Sequence, residues 1–275
     1  MQNYKLIVSD LDGTLLNSDM DLTPGNISAL KKFSELGIVF AASSGRTFFE
    51  IPKSVRDNPY IRFITYSNGS AIYDRQSGTD ILSNRMTVSR VNDALDILSE
   101  YDCFIAIHAG GYCYIDRDAV VSDFDHFQMN EYYKTLFLTY DRVDGIENFA
   151  RSNDLVESIV LFFHDDSDLK KCSERINKLD GITLTSSIAH NIELCSSDAG
   201  KGKALSALAH FLDIQKKDII CVGDNMNDTS MFPESGLSLC TSSGIEEAKA
   251  LADKVICSNN EGIADYILNN IICKS

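Results

Sequence analysis

Leu6-Ile7-Val8-Ser9-Asp10-Leu11-Asp12-Gly13-Thr14-Leu15-Leu16 is the stretch whose reading decides the fold of this chain. An apolar run of strand character stops at two carboxylates. Residues two apart in a strand point to the same side, so Asp10 and Asp12 can converge, although Gly13 signals that the chain is already turning. Like charges that close need a cation. A hard divalent ion, with Mg²⁺ the usual choice beside phosphates, makes the pair tolerable and leaves one carboxylate able to attack phosphorus. In isolation the same residues also read as a solvated Asp-Asp-Gly turn.

Three further segments favour the first reading. Val39-Phe40-Ala41-Ala42-Ser43-Ser44-Gly45-Arg46 is a second apolar run, ending in a hydroxyl and a glycine. Gly200-Lys201-Gly202-Lys203-Ala204-Leu205 opens a helical pattern with an early lysine. Ile219-Ile220-Cys221-Val222-Gly223-Asp224-Asn225-Met226-Asn227-Asp228 is a buried-strand pattern that terminates in a second acidic cluster. All four lie where strands or helices begin or end, and open α/β sheets bind ligands at the carboxyl ends of their strands. They are expected to meet in space.

In this order the four segments resemble the haloacid dehalogenase superfamily, specifically its Cof-like, class IIB branch of sugar-phosphate and small-metabolite phosphatases. The resemblance extends to Ser67-Asn68-Gly69-Ser70-Ala71 and to Ile192-Glu193-Leu194, and so covers nearly the whole chain. One departure is Ser44, where the family more often has threonine. Either hydroxyl can donate to a phosphate oxygen.

Composition narrows the class further. The chain has 275 residues, 44% of them hydrophobic, enough for two buried cores. A formal charge of −15 argues against nucleic acid, which requires basic patches. An anionic substrate must then be drawn in by local cations: the metal, Lys201 and Arg46. Eight cysteines occur without any Cys-x-x-Cys spacing and read as buried free thiols. No signal peptide and no apolar run of membrane length is apparent, so the expectation is a cytoplasmic protein that does not engage a membrane. A monomer or a weak homodimer is expected.

Strand and helix signals alternate over the first 83 residues. Strand Leu6 to Ser9 leads to a helix begun by Thr23-Pro24, with Ile27, Leu30, Phe33 and Leu36 as its apolar stripe. Strand Ile38 to Ala42, a short helix from about Phe48 to Arg56 and strand Phe63 to Tyr66 follow. This is the signature of an α/β fold with a Rossmann-like, doubly wound, mostly parallel sheet. From residue 84 the phosphate-binding signals stop. Helix Ser89 to Glu100, a hairpin around Gly110-Gly111, strand Leu155 to Phe163, helix Ser167 to Leu179 and strand Ile182 to Ser186 make an inserted α+β cap over residues 84–189. Residues 1–83 and 190–275 then form a discontinuous core. In the family, such a cap closes over the site and selects substrate.

The resemblance and the chemistry together assign roles. Asp10 is the expected nucleophile, forming an aspartyl-phosphate, and Asp12 the general acid and then base. Ser44 and the backbone N–H groups of Gly45 and Leu11 are expected to cradle the phosphoryl oxygens, with Lys201 offsetting their charge. Asp10 and Asp224 are expected to bind Mg²⁺. The family implies that Asp12 adds its backbone carbonyl and keeps its side chain free, that Asn227 contacts phosphate, and that Asp228 supports the metal indirectly. Arg46 and Asn68 are placed around this set as supporting or substrate-contacting residues. The activity implied is Mg²⁺-dependent hydrolysis of a small phosphorylated metabolite.

The rival readings are a phosphomutase of the same fold and a sugar-phosphate-binding regulator without turnover. A dehalogenase has no leaving alkoxide for Asp12 to protonate. Gly200-Lys201-Gly202-Lys203 fails as a Walker loop, because no Ser or Thr follows the lysine. His164 with Asp165, Asp166 and Asp168 reads as a solvated loop with a helix cap. His108, Tyr112, Tyr114 and Phe124 are expected either to face the site from the cap or to pack the hairpin.

Overall fold

The computed structural model of the protein describes residues 4–185 and 190–273. The chain divides into two compact units: Met1–Ser83 with Gly200–Ser275, and Asn84–Ala199.

The chain enters the first unit through β1 (Leu6–Ser9), α1 (Pro24–Glu35), β2 (Val39–Ser43), α2 (Lys53–Arg56), β3 (Phe63–Tyr66), β4 (Ala71–Asp74) and β5 (Thr79–Ser83). It passes to the second through α3 (Val88–Leu98), β6 (Cys103–Ala109), β7 (Tyr112–Asp116), α4 (Val121–His126), α5 (Glu131–Phe137), β8 (Asp141–Val143), α6 (Ile146–Arg151), β9 (Val156–Phe163), α7 (Asp166–Ile176), β10 (Ile182–Thr185) and β11 (Asn191–Ser196). It returns through α8 (Lys201–Phe211), β12 (Ile219–Gly223), β13 (Leu237–Thr241), α9 (Glu246–Leu251), β14 (Lys254–Ile256) and α10 (Ile263–Ile267).

The first unit holds an eight-stranded sheet in the order β14-β13-β12-β1-β2-β3-β4-β5. Its first six strands run parallel, and β4 and β5 each pair antiparallel with the strand before them. Strands covered on both faces need apolar residues at every position, which is why β1 and β12 read as unbroken hydrophobic runs. On one face Ile7, Phe40 and Ile64 pack against Leu30 and Phe33 of α1 and Ile263 and Ile267 of α10. On the other, Val8, Ala41 and Phe63 pack against Ala204, Leu205 and Leu208 of α8.

Three local expectations change. The inner face of α1 is Asn26, Ala29, Leu30 and Phe33, while Ile27 and Leu36 are exposed. Asn26 is buried with both ends of its amide bonded: Nδ2 donates to the Leu15 carbonyl at 2.8 Å, and Oδ1 accepts from the Ala264 N–H at 2.9 Å. The helix expected over Phe48 to Arg56 is broken into a single turn, Phe48–Glu50, and the short α2, because Pro52 disfavours helical geometry at Ile51. The end of the second unit also moves. Residues 190–199 belong to it rather than to the core, since β11 pairs with β9 and β10. Ser186, the expected end of β10, lies outside the described residues.

The second unit carries a six-stranded sheet, β10-β11-β9-β6-β7-β8. Leu95 of α3, Ile146 of α6 and Ile176 of α7 cover one face. Phe124 of α4 and Phe137 of α5 cover the other with Phe104 and Phe162. Phe124 is therefore core, its ring edge-on to Phe104 at 5.5 Å. Tyr114 packs on Phe149, His108 Nδ1 lies 3.0 Å from Ser158 Oγ, and Tyr112 is exposed. Asp165 caps α7 by accepting from the N–H groups of Ser167 and Asp168, as the loop reading required.

Candidate active site

Strands β12, β1, β2 and β3 are neighbours in the sheet, and each hands a polar residue to its carboxyl end. Asp224 follows β12, Asp10 follows β1, Ser44 follows β2, and Asn68 sits in the turn after β3. Strand order thus brings together three of the four segments picked out in the sequence, those of Asp10, Ser44 and Asp224, along with Asn68; the fourth, at Lys201, comes in on the helix α8. This row is the place where open parallel sheets bind ligands.

Asp10 is held at the sheet end by its own N–H, which donates to the Val222 carbonyl at 2.9 Å. The chain then turns tightly, with the Leu15 and Leu16 N–H groups donating back to the carbonyls of Asp10 and Leu11. Gly13 makes this turn possible with a φ of 77°. A Cβ there would also lie 2.6 Å from Asp224 Oδ2, so the glycine clears room for a neighbouring carboxylate. Leu11 is buried in the core, which leaves only its backbone to serve a ligand.

Lys201, the first residue of α8, is 2% exposed and donates from Nζ to Asp10 Oδ1 at 2.6 Å and to Asp228 Oδ1 at 2.7 Å. Asp228 is fully buried, and its Oδ2 accepts from the N–H groups of Asp224 and Asn225 at 2.9 and 3.0 Å. Thr14 Oγ1 donates to Asp224 Oδ1 at 2.7 Å. Burial, reinforced by the negative charges of Asp228 and Asp224, pushes the Asp10 carboxyl well above the usual range, with Lys201 pulling the other way. Burial likewise raises Asp224, against the hydrogen bond from Thr14. Burial works against the charge on Lys201, but Asp10 and Asp228 outweigh it and hold the ammonium protonated.

Three carboxylates against one ammonium leave the pocket short of positive charge. Ligand oxygens of Asp10, Asp224 and Asp228 lie within 4.8 Å of one another, and an all-oxygen donor set suits a hard divalent cation. Both oxygens of Asp228 are already committed, so Asp10 and Asp224 are the carboxylates with capacity for a metal. Asp228 acts through Lys201 and the backbone.

One expectation is revised by this geometry. Asp12 does not keep a free side chain: Arg46 grips it, Nε to Oδ2 at 2.8 Å and Nη2 to Oδ1 at 2.9 Å. Lys201 Nζ spends two of its three N–H donors on the carboxylates of Asp10 and Asp228. Ser44 is buried and its Oγ accepts from the Arg46 N–H at 3.1 Å. Gly45 lies against the Asn68 amide, and the exposed Asn227 donates to Asn68 Oδ1 at 3.3 Å. Thr14 was missed in the sequence, although a hydroxyl closing an Asp-x-Asp-Gly-Thr run is a visible signal.

The family model for haloacid dehalogenase-like hydrolases matches residues 7–267. A 5-amino-6-(5-phospho-D-ribitylamino)uracil phosphatase, YwtE of Bacillus subtilis, is 26% identical over 98% of both chains. The pyridoxal phosphate phosphatase YbhA of Escherichia coli is 25% identical over 98% of this chain and 99% of its own. Among solved structures, the class IIB sugar phosphatase BT4131 superposes with a TM-score of 0.76 over 96% of this chain and 98% of its own, at 16% identity, and so shares the fold. The chain belongs to the haloacid dehalogenase-like hydrolases. Within them it is a Cof-like enzyme of the phosphatase class.

Proposed function

We propose that the protein hydrolyses a small phosphomonoester with Mg²⁺ as cofactor, through an aspartyl-phosphate on Asp10. The observation that carries this is the Asp10–Lys201–Asp228 chain at the end of β1, a buried carboxylate aligned by a permanent cation. Asp10 and Asp224 would hold the metal, which would supply charge neutralisation for Asp10 and for the phosphoryl oxygens.

A carboxylate oxygen of Asp10 attacks phosphorus while the bond to the leaving alkoxide breaks; Asp12, turned out of its pair with Arg46 and protonated, gives that oxygen its proton. Asp12, now ionised, takes a proton from the water that attacks the phosphoryl group, releasing inorganic phosphate and regenerating Asp10. Ser44, the Gly45 and Leu11 N–H groups and Asn227 donate to the phosphoryl oxygens. Lys201 fixes the attacking carboxylate. The second unit selects substrate, and the free thiols of all eight cysteines suit the reducing cytoplasm.

Turnover tests the reading directly. Phosphate release across a panel of hexose and pentose phosphates, pyridoxal phosphate and nucleotides should require added Mg²⁺ and vanish in Asp10→Asn. Full activity in that variant would remove Asp10 as nucleophile. A phosphomutase would instead move the phosphoryl group between two hydroxyls of one sugar without releasing phosphate.

A further inference from the structure

Ser67 and Asn68 are consecutive non-glycine residues in the left-handed region, with φ of 47° and 51°, and Gly69 continues at 92°. The other non-glycine residues with positive φ among the described residues, Met20, Gln128, His190 and Asp213, are each isolated. In this region the Cβ crowds the following carbonyl, so two in succession must be held by their surroundings.

The surroundings are the loops of the candidate site. The Ser67 N–H donates to the Arg46 carbonyl at 2.8 Å, and the Asn68 N–H to the Ser44 carbonyl at 3.0 Å. Gly69 lies against the residue before Lys201: a Cβ on it would be 2.4 Å from the Gly200 carbonyl oxygen. The Asn68 side chain then reaches both flanks of Asp10. Its amide covers Gly45, where an added Cβ would meet Oδ1 at 3.1 Å and Nδ2 at 3.3 Å, and its Oδ1 accepts from Asn227 Nδ2 at 3.3 Å. Gly45 follows β2 and Asn227 follows β12, the two strands on either side of β1. A primary amide has two N–H groups and Asn68 takes one of those on Asn227, so the other is left for a ligand.

We infer that Asn68 is a positioning residue: through the strained Ser67–Asn68 turn it orients the Asn227 amide and seats Gly45, so that both present N–H donors to a phosphoryl group. This rests on the phosphatase reading above. It assigns the strain in the turn a role, since asparagine tolerates the left-handed region and supplies the amide that bridges the two loops.

The experiment separates backbone from side chain. Asn68→Gly keeps the left-handed turn, because glycine adopts it freely, and removes only the amide. Turnover of p-nitrophenyl phosphate, inhibition by inorganic phosphate and melting temperature are measured for the native protein, Asn68→Gly, Asn227→Ala and the double variant. The expected result is an unchanged melting temperature for Asn68→Gly. Its kcat/KM should fall about tenfold or more, the scale of one hydrogen bond to a charged group, with a matching weakening of phosphate inhibition. The double variant should lose less than the product of the two single losses, because part of the effect of Asn68 runs through Asn227 and only the part that runs through Gly45 adds to it. Native kinetics in Asn68→Gly, or losses that multiply in the double variant, would overturn the inference. A native protein without turnover would overturn the phosphatase reading itself, and that is seen before any variant is made.

Discussion

Arg46 and Asp12 face each other as a two-pronged pair, with Nε and Nη2 of the guanidinium on separate carboxylate oxygens at 2.8 and 2.9 Å. The third arm of the fork, Nη1, donates to the Glu50 carbonyl at 3.2 Å and fixes the arginine to the turn after β2. The paired groups are partly exposed, so the pair adds little stability, and it has to open before Asp12 can carry the proton it donates. If Asp12 protonates the leaving alkoxide, its removal matters most when that alkoxide is a poor leaving group. Asp12→Asn is expected to lower kcat on a sugar phosphate by about 10²–10⁴-fold and to affect p-nitrophenyl phosphate far less. Equal losses on both esters in Asp12→Asn would take the acid role away from Asp12.

Lys201 joins two buried carboxylates, and a neutral replacement strands them. Lys201→Met should destabilise the protein by about 3–5 kcal/mol in urea denaturation, the usual penalty for breaking a buried ion pair from one side. Added Mg²⁺ should restore part of the loss if Asp10 and Asp224 bind it, because the metal supplies the missing charge. A loss under about 1 kcal/mol would show that water reaches the pair and that the ammonium is dispensable to the fold.

Gly13 tests the cation pocket from the backbone. Its φ of 77° disfavours any side chain, and a Cβ would press on Asp224 Oδ2 at 2.6 Å. Gly13→Ala should therefore cost about 1–2 kcal/mol in stability from strain alone. It should also weaken Mg²⁺ activation, read as a shift of the half-activating concentration. The native protein should gain about 2.7 kcal/mol at a Mg²⁺ concentration one hundred times its dissociation constant, and lose that gain on chelation. A Gly13→Ala variant with native Mg²⁺ activation would separate Asp224 from the metal.

Much of this was legible because it is local. A carboxylate at the end of a buried run, as in Ile7-Val8-Ser9-Asp10 and Val222-Gly223-Asp224, reports strand, terminus and chemistry within a few residues. What stayed hidden depends on tertiary approach. Thr14 meets Asp224 from 210 positions away, and only the sheet order β12-β1 brings them together. Asn26 took the inward place that hydropathy assigned to Ile27, since a scale of side-chain polarity cannot see two backbone partners waiting at Leu15 and Ala264. The stretch between Asp116 and Val156 carries helices of only six or seven residues, too short for a helical period to register. The end of the second unit was misread because β11 follows β10 without any change of composition, and its partners, β9 and β10, identify it only in three dimensions.

Asp74 offers a test of acid stability away from the chemistry. It ends β4, and its Oδ1 and Oδ2 accept from Arg62 Nε and Nη2 at 3.1 and 3.3 Å, with a further hydrogen bond from the Gln76 N–H at 3.0 Å. Burial alone would raise its pKa, but the bonds from Arg62 and Gln76 outweigh it and hold the carboxyl below the ordinary value. A folded-state pKa below the unfolded one, about 3.9, means that the native state releases this proton more readily. The contribution is then fully present above the unfolded value and disappears as pH falls through the folded one. Asp74→Asn should therefore lose about 1 kcal/mol at pH 6, a figure reduced by the partial exposure of Arg62. Urea unfolding of the native protein and the variant should converge as the pH drops below about 4. A gap that stays constant between pH 6 and pH 3 would mean that the asparagine loses packing or hydrogen-bond geometry, and that the charge of Asp74 contributes nothing.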